Sequence, residues 1–264
     1  MNVRRLVAYA ASGGRRDRIW LRRCEPGRRR HRVLLAVDDS HSMSDCSLRQ
    51  MAVEVLALLT GAFSLLEIGE LGVCSFGENM RILQDFADPF MSHGHQGSSD
   101  GSGGVSLVRK MKFDQQKTRI AAMINQVGKM FVQARMSGRS AGHGASSGSP
   151  AAELLIILTD GRGVFAEGQS IVRKAIRNLT QELNVFPLVL VLDNPQLPDS
   201  IFDIRVPVFS NQKKKSAAGG LQIVSYLDQF PFPFYVVVRD LSQLPEIVAD
   251  ALAQWIDMVQ NKSK

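Results

Sequence analysis

Asp38, Ser40 and Ser42 occupy alternate positions of Asp38-Asp39-Ser40-His41-Ser42, directly after the apolar run Val33-Leu34-Leu35-Ala36-Val37. A second apolar run, Leu154-Leu155-Ile156-Ile157-Leu158, ends on Thr159-Asp160-Gly161, and Lys117-Thr118 lies between the two. Brought together, Asp38, Ser40, Ser42, Thr118 and Asp160 offer two carboxylates and three hydroxyls, the oxygen ligands that Mg²⁺ or Mn²⁺ prefers. Hydroxyls are neutral, so such a set leaves the ion electron-poor, and Mg²⁺ retains several waters in its octahedral shell. A carboxylate from a second molecule can replace one of those waters. No base, nucleophile or phosphate cradle accompanies these residues, and there is no Walker A sequence. Phosphoryl chemistry would want more carboxylates, a positioned base or an arginine clamp. Arg162, next but one after Asp160, reads as a solvated surface charge. The chemistry is therefore metal-dependent binding and not catalysis.

Each fragment alone has a plainer reading. Serines 40 and 42 suit the N-cap of a following helix, although Ser44 and Asp45 stand closer to it. Asp160 suits a strand-to-turn aspartate bonded to its own backbone, and Thr118 suits a helix N-cap. What favours the metal reading is the placement of both aspartates at the ends of strongly apolar runs. In open α/β sheets, ligands collect beyond the carboxyl ends of the strands, where the strand order reverses. If the two runs are neighbouring strands, both carboxylates emerge in that crevice at its rim. Alanine at either position is then expected to abolish metal-dependent binding and leave the fold intact.

From residue 33 onward, apolar runs alternate with amphipathic stretches. The runs at 33–38, 71–76, 81–86, 153–159, 186–192 and 234–238 predict strands, with the more alternating 81–86 as an antiparallel edge. Helices are expected over 46–66, 117–135, 168–183 and 241–260. This alternation predicts an α/β fold: a doubly wound, mostly parallel central sheet with helices on both faces. At 264 residues and 45% hydrophobic side chains, the chain fits one domain over residues 33–264. Stretches 92–106 and 137–150 are Gly/Ser-rich, and 194–222 follows no strand or helix pattern, so all three are expected as flexible loops. His93 and His95 fall in the first of these and read as solvated. Lys213-Lys214-Lys215 in the third reads either as a nuclear-import patch or as an exposed turn.

The net charge of +7 belongs to one end of the chain. Residues 1–32 hold eleven arginines against Asp17 and Glu25, and the remainder is close to neutral. Such a basic flank suits RNA or an acidic partner through counterion release. It equally suits a solvated flank or an edge strand, given the alternation in Arg18-Ile19-Trp20-Leu21-Arg22. Three well-separated cysteines, an odd number, favour a reducing compartment. The chain shows neither a signal-peptide core nor a run of eighteen apolar residues, which points to a soluble, non-secreted protein without a membrane role.

These motifs resemble the von Willebrand factor A family and its metal-ion-dependent adhesion site. Asp38, Ser40 and Ser42 match the first motif, Thr118 the second-loop threonine and Asp160 the third-loop aspartate. A narrower resemblance runs over most of residues 9–260. Ala11-Ser12-Gly13-Gly14-Arg15-Arg16-Asp17-Arg18-Ile19-Trp20-Leu21-Arg22-Arg23, the doubled Asp38-Asp39, Phe113-Asp114-Gln115-Gln116-Lys117-Thr118 and Leu158-Thr159-Asp160-Gly161-Arg162-Gly163 are similar to the C-terminal domain of the midasin family. These are giant AAA-type ATPases of large-ribosomal-subunit assembly. The resemblance implies a nuclear module, nucleolar and nucleoplasmic, that acts on pre-60S particles. It would grip the ubiquitin-like domains of WD-repeat assembly factors, a partner glutamate completing the metal shell. The motor would lie outside this chain, and the 194–222 stretch would correspond to the family's insert with an import signal. Asp39, His41, Gly161 and Arg162 are then expected on the partner-contacting rim, with a surrounding contact surface that includes 77–81, 113–118 and 161–167. A generic adhesion-type domain outside ribosome assembly is the alternative.

Overall fold

Apolar runs that need cover on both sides dictate the centre of the molecule. The computed structural model describes Ala11 and residues 31–66, 68–87, 107, 109–140, 152–195, 200–209 and 221–262. Its strands are β1 (His31–Asp38), β2 (Gly69–Phe76), β3 (Arg81–Gln84), β4 (Ala152–Thr159), β5 (Val185–Leu192), β6 (Arg205–Phe209), β7 (Leu221–Ser225) and β8 (Tyr235–Val238). Its α-helices are α1 (Cys46–Leu65), α2 (Ile120–Ser140), α3 (Gln169–Arg177) and α4 (Leu244–Lys262). Six strands form one sheet in the order β3-β2-β1-β4-β5-β8, parallel except for β3, which pairs antiparallel with β2. The expected doubly wound sheet with an antiparallel edge is what forms.

Alternate residues of each central strand feed separate core layers. Val33, Leu35 and Val37 of β1 join Leu154, Ile156 and Leu158 of β4 beneath α1 and α4. Leu34, Ala36, Leu155 and Ile157 face the other way, beneath α2 and α3. Cys74 of β2 is a free, buried thiol in that second layer. Helix α1 is long and apolar enough, by composition, to cross a membrane. Here that apolarity has a packing cause, because Leu48, Ala52, Val55, Leu56, Leu59 and Phe63 of α1 are all buried in the first layer.

The strand order reverses between β1 and β4. The chain leaves β1 towards β2 and β3 on one side, and resumes at β4 to build outward through β5 and β8 on the other. Register pairs Val37 with Leu158. Asp38 and Asp160 therefore leave the carboxyl ends of adjacent parallel strands at the switch point of the sheet.

Several sequence expectations need correction. The boundary drawn at residue 32 cuts through β1, since His31 and Arg32 belong to that strand. Arg32 is buried with Glu153, which accepts from its Nη1 at 2.7 Å, and with Glu70. It is part of the interior and not of a basic flank. The stretch 194–222 contains a strand: β6 pairs antiparallel with β7 as a two-stranded ribbon, from Arg205–Ser225 to Phe209–Leu221. Helix α2 starts at Ile120, not 117, and runs to Ser140, into the stretch expected as loop. Helix α3 is shorter than expected and passes into a π-helical turn over Asn178–Glu182. Residues 92–106 and 141–150 and Lys213-Lys214-Lys215, on which the loop and import expectations fall, lie outside the described residues, as does the basic flank apart from Ala11, His31 and Arg32.

Candidate metal centre

Three loops meet over the β1–β4 switch point, and hydrogen bonds between them account for the meeting. After β1 the chain turns through Asp39 and Ser40 into a 3₁₀ turn, His41–Ser44. Asp45 caps α1, its side chain accepting from Ser47 N at 2.9 Å. Ser40 makes no side-chain cap bond to its own turn. Its Oγ instead lies 3.0 Å from the Ser42 Oγ, so the two hydroxyls do converge.

The second loop is stitched to the first through Asp39 and Gln115. Asp39 Oδ1 accepts from Lys112 N at 2.9 Å and Phe113 N at 2.5 Å, while Gln115 Nε2 donates to Asp39 Oδ2 at 3.3 Å. His41 N donates to Gln115 O at 2.7 Å, and Gln115 Oε1 accepts from Asn79 N at 2.8 Å. This stitching carries the chain to Thr118, which is 7% exposed.

The third loop locks onto the second from the other side. Glu167 Oε2 accepts from Ala121 N at 2.6 Å and Ala122 N at 3.3 Å, covering two of the open amides in the first turn of α2. Glu167 thus caps this helix, a role that the plainer reading gives to Thr118. A Cβ at Gly163 would lie 2.7 Å from Thr118 Oγ1, so only glycine permits this approach. Gly161 turns the chain after Asp160 with φ +77°, in the region that glycine adopts without strain.

The two carboxylates at the floor are not equivalent. Asp38 is fully buried; its Oδ1 accepts from Ser40 N at 3.0 Å and its Oδ2 from Thr159 Oγ1 at 2.6 Å. Asp160 is 2% exposed. Its Oδ1 accepts from Arg162 N at 3.1 Å, but its Oδ2 is buried without a hydrogen bond, 4.0 Å from Arg162 Nε. Burial first, and the Asp160 charge second, push the Asp38 carboxyl up to about 7. Two neighbouring buried carboxylates, one with an oxygen lacking any donor, form a site that a cation would stabilise. Among the described residues, no group of three or more His, Cys, Asp or Glu side chains could hold a metal ion. Neutral hydroxyls make up the rest of this set, and such hard oxygen donors fit Mg²⁺ or Mn²⁺.

Asp38, Ser40, Ser42, Thr118 and Asp160 are all brought to these three loops. The expected rim divides differently. His41 is exposed and Arg162 half-buried beside Asp160. Asp39 is fully buried and occupied by the second loop, so it is a structural residue and not a partner contact. Gly161 is also buried, and its carbonyl accepts from the Tyr226 hydroxyl at 2.6 Å. The expectation that both carboxylates sit at a rim fails for the same reason. Thr159 and Tyr226 join the expected site residues, and Gln115 and Glu167 take specific roles within the surface expected over 113–118 and 161–167. Thr159 was legible, since the strand's end places its hydroxyl next to Asp160; the other three depend on contacts distant in sequence. A groove of about 420 Å³ between α2 and α3 lies apart from the carboxylates and shares no residue with them.

This strand order, with two carboxylates and neighbouring hydroxyls at its switch point, is a doubly wound α/β fold with a candidate metal site, the arrangement expected from the resemblance to the von Willebrand factor A family. The particular relative is midasin. The chain is 33% identical to midasin of Dictyostelium discoideum over 261 residues, 99% of its length, and 31% identical to midasin of Giardia intestinalis over 259 residues, 98% of its length. The match takes in nearly the whole of this chain, which spans 4% and 5% of the length of those two relatives. No family model matches the chain. Its fold is similar to that of the conserved hypothetical protein BatB from Bacteroides thetaiotaomicron, with a TM-score of 0.50 and 12% identity, covering 86% of this chain and 99% of that one.

Proposed function

We propose that this domain is a non-enzymatic, metal-dependent grip for an acidic partner. Asp38, Ser40, Ser42, Thr118 and Asp160 hold Mg²⁺ or Mn²⁺, and a glutamate of the partner completes the shell. The observation that carries this reading is the inequality of the carboxylates: Asp38 has both oxygens bonded within the protein, while Asp160 Oδ2 is buried with none. When bound, the ion supplies a Lewis-acidic position that a partner carboxylate can enter in place of water. The chain's own residues do the rest. Ser40 and Ser42 present converging neutral oxygens, Thr159 and the Ser40 amide hold Asp38 still, and His41 and Arg162 flank the approach.

The similarity to midasin supports a narrower form of the proposal. The partner is the ubiquitin-like domain of a WD-repeat assembly factor on the pre-60S particle, in the nucleolus and nucleoplasm, and Lys213-Lys214-Lys215 serves nuclear import. An ATPase motor elsewhere in the parent protein would pull through this contact. The basic flank then contacts RNA or another part of the same parent.

Calorimetric titration of the domain with such a ubiquitin-like domain tests the proposal, first in Mg²⁺ and then in EDTA. Binding should disappear on chelation, and again when the partner's exposed glutamate is changed to alanine. Binding that survives both changes would replace the metal bridge with an ordinary protein interface.

A further inference from the structure

One residue at the base of the β6–β7 ribbon holds the turn that follows Asp160. Tyr226 directly follows β7, and its amide donates to Ile204 O at 3.0 Å, closing the ribbon. The residue is 5% exposed. Its hydroxyl donates to Gly161 O at 2.6 Å, with Arg162 O at 3.5 Å. Its ring meets Phe165 edge-on, with centroids 5.2 Å apart and planes at 76°. Gly161 and Phe165 belong to the same loop, so the phenol holds one part of the Asp160 turn while the ring holds another.

The turn has little room to settle elsewhere. A Cβ at Gly161 would lie 2.7 Å from Ile201 Cδ1, so the backbone there already packs closely on the ribbon's approach segment. Asp160 Oδ1 is fixed by Arg162 N in this turn, which leaves the direction of Oδ2 to the backbone that Tyr226 holds. We propose that Tyr226 is a positioning residue for the metal site, fixing the Gly161–Arg162 turn so that Asp160 Oδ2 faces the ion. The inference rests on Asp160 being a metal ligand. It makes metal affinity depend on the ribbon, an element that supplies no ligand itself.

The test is Tyr226→Phe, which keeps the ring and removes only the hydroxyl. Mn²⁺ binding to the full chain is measured by calorimetry and by electron paramagnetic resonance of the free ion. Thermal stability is measured in EDTA. Val248→Ala, a cavity-forming change in the opposite core layer, is the control for lost stability alone. Tyr226→Phe should weaken Mn²⁺ binding roughly tenfold, the scale on which partners behind a ligand act, while Val248→Ala leaves the Kd unchanged. An unchanged Kd for Tyr226→Phe would overturn the inference alone, and so would an equal loss in both variants. A wild-type chain that binds no Mn²⁺ would overturn it together with the reading on which it rests.

Discussion

Thr159 donates its hydroxyl to Asp38 Oδ2 at 2.6 Å, joining the ends of the two strands between which the sheet reverses direction. The same hydroxyl accepts from Gly161 N at 3.1 Å. One side chain thus holds one carboxylate and shapes the turn that bears the other. The arrangement divides the labour between the aspartates: Asp38 is a fixed, internally bonded floor, and Asp160 offers an unclaimed oxygen.

That division predicts different outcomes for the two substitutions. Asp160→Asn keeps the acceptor for Arg162 N and removes a charge beside Asp38, so the chelated protein should be at least as stable as wild type. Its Mg²⁺ affinity should fall a hundredfold or more, beyond the range of about 10–100-fold seen when partners behind a ligand are changed. Asp38→Ala leaves the Ser40 amide and the Thr159 hydroxyl unpaired, at about 1–3 kcal/mol each. It should lower both metal affinity and thermal stability in EDTA. Calorimetry with Mg²⁺ and thermal melts of both variants check this, and equal melting losses would refute the division.

The pH dependence follows from Asp38. Its carboxyl is raised from an ordinary 3.8 to about 7 in the fold. Between those values the folded chain holds a proton that the unfolded chain has released, so folded-state stability falls as pH rises through this window. The slope contributed by this one group is at most about 1.4 kcal/mol per pH unit. Saturating Mg²⁺ favours the ionised form and should flatten or reverse the slope, and metal affinity should rise with pH until about 7. Urea unfolding across pH 4 to 8, in EDTA and in Mg²⁺, measures both effects. A metal-free slope that Asp38→Asn leaves unchanged would mean that Asp38 is not raised.

Asp39 should behave as part of the scaffold. Two backbone amides, Lys112 N and Phe113 N, donate to its buried Oδ1, and Phe113 is held at φ 53°, an uncommon conformation for a residue other than glycine. Asp39→Ala removes these charge-assisted bonds and frees the loop leading to Thr118, at a cost of about 2–4 kcal/mol. Asp39→Asn retains an acceptor and should cost less than half as much. Amide hydrogen exchange should speed up at 112–115 in the alanine variant, and unchanged protection there would show that other contacts hold the loop.

The differences between sequence expectation and structure share a physical cause. The apolar runs of β1 and β4 are legible because strands buried on both faces need nearly continuous apolar residues. Asp38 and Asp160 are legible with them, since each stands at the end of a run. Asp39 reads as a rim residue in its local motif, which carries no sign of its partners at Arg81 and 112–115. Arg32 looked like one more charge in a basic stretch, because its acids are contributed by β2 and β4. The ribbon leaves little trace in the sequence because β6 is five residues with Pro207 at its centre, which weakens any strand pattern.

The buried ionic cluster at the amino ends of the strands gives the last expectation, one that separates stability from function. Glu153 is 3% exposed and Arg32 5%. Glu153 accepts from Arg32 Nη1 at 2.7 Å and from Arg135 Nε at 3.0 and 3.1 Å. Glu153→Ala leaves the Arg32 guanidinium buried with Glu70, the Ala134 carbonyl and the Phe86 ring as its remaining partners among the described residues, and breaking such a cluster costs about 3–5 kcal/mol. The double change Arg32→Met, Glu153→Met should recover most of that loss, because the side chains of Glu70 and Arg135 are 45% and 38% exposed and water can solvate them. The cluster lies at the opposite end of β1 and β4 from Asp38 and Asp160, so Mg²⁺ affinity should match wild type in both variants below their melting temperatures. Denaturant unfolding and Mg²⁺ calorimetry on the same samples check this, and a change in metal affinity without a change in stability would show that the cluster acts through the sheet on the site.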